Sequence, residues 1–436
     1  MKPLRVSADG RRLEDLDGEA FFWQGDTAWN LLYQFSDADI TRIIETRRAQ
    51  GFNVLQVMLM SEHNTVRGSR NDGRAPFALK DGKPDPLEPL EAFWSKTERV
   101  LDEARAAGMR LALLPVWGSF VADSPTEFES IPVFTPDVAH AYGRWLSERF
   151  QGRNEIFWVL GGDRPITHRG GDDWAVYDAL SSGLKTFMPD TLHTFHTRGD
   201  QTGNFAQPLF NAPWLDFMMF QSGHGWEDVP VWDWLERGAA HGIPMLDGEP
   251  CYEDHGVDPW RADFPVRAKF FREADVRKQI YRGLLAGGCG FTYGHHAVWQ
   301  GFDPALGEPA ISHADRSWRA GLNRPAAWQM QYARTLLEPF PDRVPDQRLL
   351  EGNPAAGALH ARSARAEDGR HALVYTPPGT RAVNLNLEPL AGRRFHATWC
   401  NPRDGTAQPL GVVQGERVVL ETPAAHEDWL LMLQKA

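Results

Sequence analysis

The chain has 436 residues, is 42% hydrophobic and 24% charged, and carries a formal net charge of -12. That length exceeds one ordinary core but fits a barrel of roughly 250 residues or more plus a small second domain. The acidic balance without a basic run argues against a nucleic-acid partner, and no apolar run approaches the ~18 residues that span a bilayer, so neither nucleic acid nor a membrane is expected as a partner.

Arg5 to Phe22 carries the turn signals Asp9-Gly10 and Asp17-Gly18 and predicts a hairpin ahead of the main fold. Strand and helix patterns then alternate, as in an α/β architecture with parallel strands. Strand one is Phe21–Gln24. Ser36 caps a helix that runs through Gln50 and stops at Gly51. Strand two, Asn53–Leu59, ends near Glu62 and His63. A polar stretch from Thr65 to Pro89 predicts a long functional loop over the site. Glu91 to Ala107 is a helix. Strand three, Arg110–Trp117, precedes a helix from Pro136 to Phe150 with Thr135 as N-cap. Strand four, Glu155–Leu160, opens into Gly161-Gly-Asp-Arg164, and Asp172-Asp173 caps the helix that follows to Phe187. Strand five is Leu192–His196, and strand six is Asp216–Ser222. A short helix from Val231 to Gly238 leads to strand seven, Ile243–Leu246. A helix over Ala274–Ala286, strand eight over Cys289–Gly294 and a helix over Arg316–Leu337 close the ring.

Eight strands alternating with helical segments predict a (β/α)8 TIM barrel. A Rossmann sheet is disfavoured because no Gly-x-Gly-x-x-Gly follows an early strand. The Pro-rich stretch Glu338–Pro345 marks a boundary. Beyond it the period falls to two. Ala358–Ala364, His371–Tyr375, Ala382–Leu387, Phe395–Trp399, Arg417–Leu420 and Trp429–Leu433 predict a small antiparallel β-sandwich. The expected domains are therefore 1–340, with the hairpin and barrel, and 346–436.

Cys251, Cys289 and Cys400 give neither a disulfide framework nor a zinc spacing, and predict free thiols. The N-terminus shows no apolar signal-peptide core, so a cytoplasmic location is expected. The 17 tryptophans are many. Some are expected to line a site for a ligand with flat apolar faces and hydroxyl edges, as a sugar has.

In such a barrel the chemistry sits at the C-terminal ends of the strands. Those ends supply Asp26, Glu62, His63, Trp117, Asp163, Arg164, His196, Arg198, Gln221, His224, Asp247, Glu249, Glu253, His295 and His296. Glu249 closes strand seven between Gly248 and Pro250; Asp163 closes strand four after two glycines. Carboxylates at these two ends face each other across a barrel mouth. A glycosidase needs one protonated and one ionised, about 5 Å apart to retain configuration and wider to invert it. The pair Asp163 and Glu249 is the candidate catalytic machinery. Substrate contacts are expected from Asp26, Trp29, His63, Trp117, Arg164, His196, Gln221, His224, Glu253, His295 and Trp299. No metal and no cofactor are expected. His295 and His296 are adjacent and diverge on a strand, His193 and His196 diverge likewise, and His-Glu-x-x-His is absent. Asp247 and Glu253 are supporting candidates that orient Glu249 or meet sugar hydroxyls.

Trp23-Gln-Gly-Asp-Thr-Ala-Trp29, Trp158-Val-Leu-Gly-Gly-Asp-Arg164, Met245-Leu-Asp-Gly-Glu-Pro-Cys-Tyr-Glu253 and Gly287-Gly-Cys-Gly-Phe-Thr-Tyr-Gly294 resemble the apiosidase-like glycoside hydrolases. That family combines a (β/α)8 catalytic domain with, in many members, a small collagen-binding-type β-sandwich. Its characterised activity removes the branched pentose apiose from plant pectin side chains. The resemblance implies Glu249 as nucleophile and Asp163 as acid/base of a retaining mechanism. Related retaining barrels carry Asn-Glu where this chain has Gly162-Asp163, and that departure implies a furanose rather than a pyranose. The implied partner is a small-molecule or oligosaccharide glycoside, a pentofuranoside such as an apioside. The alternative is a non-catalytic carbohydrate-binding protein on a barrel scaffold. Oligomeric state is not expressed in the sequence.

Overall fold

The computed structural model describes residues 1–121, 130–164, 166, 173–199, 204–264 and 268–436. Asp172, expected as part of a helix cap, lies outside them. Val54–Met58 and Arg110–Leu114 are buried along their whole length. Strands covered on both faces need such continuous apolar runs. Together with six others these two form one parallel sheet: β1 Trp23–Asp26, β2 Val54–Met58, β3 Arg110–Leu114, β4 Ile156–Gly161, β5 His193–His196, β6 Met218–Phe220, β7 Met245–Asp247 and β8 Gly290–Tyr293. Each lies beside its sequence neighbour, and β8 returns to pair with β1 from Gly290↔Trp23 to Tyr293↔Asp26. The gap between β7 and β8 is bridged by Cys289 N donating to Met245 O at 3.0 Å and by a parallel bridge between Glu253 and His295. The result is a nearly closed TIM-like barrel.

The helices begin where the caps demand. Ser36 accepts from Asp39 N at the start of Asp37–Ala49, and Thr135 accepts from Val138 N ahead of Pro136–Arg149. The helix expected over Arg316–Leu337 is split into Trp318–Gly321 and Pro325–Leu337. Pro325 has no N–H to continue the first helix and is suited to the first position of the second. The N-terminal hairpin is a three-stranded antiparallel sheet of Leu4–Val6, Leu13–Asp15 and Ala20–Phe21.

The stretch Thr65–Pro89 is not loop throughout. It contains a hairpin of Phe77–Lys80 and Lys83–Pro89. Phe77 is buried against the rings of Trp94 (5.6 Å) and Tyr142 (5.5 Å) on the outer helices. That apolar anchor holds the hairpin against the outer helices.

The C-terminal region is a six-stranded antiparallel sheet packed with a three-stranded one. In His371–Thr376, Ala372 and Val374 enter the core between the sheets, while Leu373 and Tyr375 join the barrel's core. Trp429, Leu431 and Leu433 likewise face the sandwich, and Leu430 faces the barrel. Both faces are buried, so the Trp429–Leu433 run is apolar without alternation. The Tyr375 ring stacks on Tyr281 of the barrel helix Glu273–Leu285 (5.0 Å, 7°). Arg277 of that helix forks onto Asp428 at 2.9 and 2.8 Å. Arg343–Pro345, at the end of the Pro-rich boundary, is a strand of the larger sheet, and Ala407–Gln414 is an edge strand the sequence pattern did not signal. Pro409 and Gly411 interrupt its period, and an edge position tolerates both. Among the described residues no helix is long and apolar enough to cross a membrane.

Candidate active site

The C-terminal ends of the barrel strands surround a cavity of about 500 Å³. Its lining includes Trp29, Glu62, Trp117, Asp163, Arg164, Arg198, Gln221, His224, Glu249, Tyr252 and Trp299. Another cavity, of about 520 Å³, lies between the N-terminal strands and the start of the C-terminal sheet. There Asp346 is tied to Arg348 and Arg365, and Glu236 to Arg362. Only the first cavity joins carboxylates of contrasting environment.

Glu249 reaches that cavity through a turn fixed from several sides. Gln56, inside the barrel, donates to Gly248 O at 2.9 Å, and Gly223 N donates to Glu249 O at 2.9 Å. His196 Nε2 lies 3.1 Å from Oε2 and His224 Nε2 lies 3.0 Å from Oε1. Tyr252 also hydrogen-bonds this carboxylate, while its hydroxyl accepts the Trp29 indole N–H at 2.9 Å. Burial alone would raise the Glu249 pKa; the hydrogen bonds and charge of His196 and His224 outweigh it and hold the group at about 2. A carboxylate so held is ionised throughout the physiological range.

Asp163 is presented by three successive residues with positive φ: Gly161 (83°), Gly162 (122°) and Asp163 (49°). A Cβ on Gly162 would lie 2.7 Å from the Trp117 ring, so glycine is required there for both conformation and space. Burial and the negative charge of Glu249 raise the Asp163 pKa, against the pull of Arg164, His196 and Arg198. The two carboxylates therefore share one cavity and one field, with opposite proton affinities.

The expected substrate contacts divide. Trp29, Trp117, Arg164, Gln221, His224 and Trp299 line the cavity. His196 lies behind Glu249, between the rings of Trp29 (5.2 Å) and Trp117 (5.8 Å). His63 stands at the edge, near Trp299 (6.1 Å) and 3.6 Å from Glu62. Three others are not brought to the lining. Asp26 is buried and paired with Arg47 at 3.0 Å, because its side chain leaves β1 on the side of the helix Asp37–Ala49. Glu253 is fully buried and accepts from Tyr293 Oη (2.7 Å) and Ala326 N (3.2 Å); burial pushes it up to about 7. His295 lies 3.2 Å from Asp254 and accepts from Ala297 N. These three fasten β1, β7 and β8 to their surroundings. Asp247 accepts from Ser222 Oγ at 2.6 Å, and burial raises it to about 7.

Other lining residues had no role assigned from the sequence pattern. Tyr252 lies three residues past Glu249 and faces it because the chain turns back over the mouth. Glu62 was one of many strand-end charges until the barrel placed it beside Arg164. Trp226 (38% exposed) and Trp260 (54% exposed) stand at the rim. Among the described residues no group of three or more His, Cys, Asp or Glu is placed to hold a metal ion. All three cysteines are free and buried.

Residues 7–342 match the family model described as "Apiosidase-like, catalytic domain". The chain belongs to the apiosidase-like family. Residues 344–434 match a model described as "Putative collagen-binding domain of a collagenase". Among solved structures, one titled "Glycoside hydrolase" is similar over 100% of this chain and 97% of its own, at 28% identity and a TM-score of 0.84. A glycoside hydrolase family 5 protein from Bacteroides vulgatus is similar over 99% of this chain and 93% of its own, at 27% identity and a TM-score of 0.85. A family 39 glycoside hydrolase from Bacteroides cellulosilyticus shares the fold, at 12% identity and a TM-score of 0.56. No curated protein matches the chain. The apiosidase-like catalytic domain and these neighbours make the protein a glycoside hydrolase with a carbohydrate substrate.

Proposed function

We propose that this apiosidase-like enzyme is a retaining hydrolase of a pentofuranoside, such as an apioside, with Glu249 as nucleophile and Asp163 as acid/base. The observation that carries this reading is the opposite tuning of two carboxylates in one cavity: Glu249 held ionised by two histidines, Asp163 raised by burial and by Glu249 itself. Titratable groups whose environments push them apart are the mark of acid/base division of labour.

In the first step a Glu249 oxygen attacks the anomeric carbon. The glycosidic C–O bond breaks, its electrons pass to the leaving oxygen, and Asp163 protonates that oxygen. In the second step the Asp163 carboxylate takes a proton from water, whose oxygen attacks the anomeric carbon and frees Glu249. Trp29 and Trp117 flank the pair, and the exposed Trp226 and Trp260 suit a sugar or other flat leaving group at the mouth. Gly162 offers no side-chain hydrogen bond to a sugar hydroxyl, which favours a five-membered ring.

Hydrolysis of aryl apiosides and arabinofuranosides by wild type, Glu249→Gln and Asp163→Asn tests the assignment. Loss of general-acid help is worth ~10²–10⁴-fold, most for poor leaving groups. Undiminished activity in either variant refutes it. Rescue of Glu249→Gly by azide should yield the azido-sugar of inverted configuration. Tight binding without turnover across a glycoside panel would instead indicate a binding protein.

A further inference from the structure

Asp163 has an arginine as its sequence neighbour. Arg164 is buried and faces the same cavity. A guanidinium that forked onto the Asp163 carboxylate would lock it ionised and useless as a proton donor. The side chains avoid this. Arg164 Nη2 donates to Glu62 Oε2 at 2.9 Å, and Nη1 donates to the Asp163 main-chain oxygen at 2.7 Å. Nη1 approaches the Asp163 carboxylate only at 3.5 Å, from Oδ2. A charge-assisted N–H···O bond is ~2.7–2.9 Å long.

This arrangement is built rather than incidental. Gly118, at the end of β3, lies against the Arg164 stem, and a Cβ there would come within 2.7 Å of both Cβ and Cγ of Arg164. Glu62 comes from the end of β2 and is buried. It faces Arg164, Asp163 and Ser119, with His63 3.6 Å away. Asp163 in turn faces Arg164, Glu249, His196 and Arg198.

We propose that Glu62 is a positioning residue for the acid/base: by holding one arm of the Arg164 guanidinium, it keeps Arg164 from forming a two-pronged pair with Asp163. Arg164 then anchors the turn through the Asp163 main chain without neutralising its carboxylate. Burial of Glu62, which pushes its pKa up to about 7, is consistent with a group that shares its arginine with a second carboxyl. The proposal rests on Asp163 being the acid, as in the proposed function.

Two readouts separate the inference from that reading. The first is direct titration of the Asp163 carboxyl by ¹³C NMR on protein labelled at aspartate Cγ, with Asp163→Asn assigning the resonance. Glu62→Gln should lower the Asp163 midpoint by about one pH unit, the low end of the effect of a close opposite charge. Adding Arg164→Met to Glu62→Gln should raise it again. The second is kcat/KM against pH on alkyl and p-nitrophenyl apiosides. Glu62→Gln should move the basic limb down by about one unit and cost about tenfold above it for the alkyl glycoside, with little effect on the p-nitrophenyl leaving group, which departs unaided.

Thermal melting confirms that each variant is folded. An unmoved Asp163 midpoint, or an upward one, overturns the inference whatever the activity. A uniform loss at all pH values and for both leaving groups does the same. If the midpoint moves as expected but Asp163→Asn keeps full activity, the positioning stands and the catalytic reading falls.

Discussion

Replacing His224 with phenylalanine removes one of the two histidine contacts to the Glu249 carboxylate, while keeping a ring to pack on His255 (4.1 Å, 28°) and Tyr252 (4.3 Å). Glu249 lies at about 2 against an ordinary 4.5. At ~1.4 kcal/mol per pH unit that difference is roughly 3–4 kcal/mol in favour of the ionised form. A hydrogen bond to a charged acceptor is worth ~1.5–3 kcal/mol, so losing one should raise Glu249 by roughly one to two units. The folded-state value is depressed, so its stabilisation is complete above the ordinary value and disappears as pH falls through the folded one. For the wild type that window runs from 4.5 down to about 2. The assay is kcat/KM against pH by brief pH jumps with an aryl apioside. Wild type should show no acid limb from Glu249 above roughly pH 3, whereas His224→Phe should show one at roughly pH 3–4. An unchanged acid limb, with activity reduced equally at every pH, would refute the argument and leave His224 as a wall of the cavity.

Gly162→Ala should fold but lose most activity, because a Cβ meets the Trp117 ring at 2.7 Å and φ is 122°; a normal melting curve with reduced kcat checks this. Arg277→Met leaves Asp428 buried without its forked partner and should destabilise by ~3–5 kcal/mol. Limited proteolysis should then release the C-terminal sheet first, and a wild-type cleavage pattern would count against that role. Trp260→Ala, at an exposed rim position, should leave stability within ~0.5 kcal/mol. It should raise KM for glycosides with a sugar leaving group but not for small aryl glycosides; equal KM values for both would remove Trp260 from substrate binding.

Much of this architecture was legible as one-dimensional pattern. Apolar runs such as Val54–Met58 and Arg110–Leu114 mark strands buried on both faces, and Ser36 and Thr135 mark helix starts. Glu249 and Asp163 follow directly once strands seven and four are counted, since a strand's C-terminal end has only one place to go in a barrel. The edge strand Ala407–Gln414 was not legible, because an edge exposed on most of its length needs no apolar alternation. Nor was the hairpin at Phe77–Pro89: its anchor is a single aromatic packed against the helix that follows it and against the more distant Pro136–Arg149.

In the sequence, strand ends form a single class of polar positions, and only packing separates their roles. Asp26 and Glu253 sit at strand ends as Glu249 does; neither lines the cavity, since Arg47 and Tyr293 take their carboxylates. By contrast His196 and His224, 53 and 25 residues before Glu249 in the chain, meet one carboxylate from the ends of two neighbouring strands. Local sequence thus determined the strand and helix order, the change from a parallel barrel to antiparallel sheets and the residues that end each strand, because these depend on periodicity and capping within a few turns. Tertiary structure alone decided which charges are paired away, which histidines hold Glu249 ionised, and how Arg164 is shared between Glu62 and Asp163. Those outcomes depend on distances across the barrel, where burial and hydrogen bonding compete for every proton.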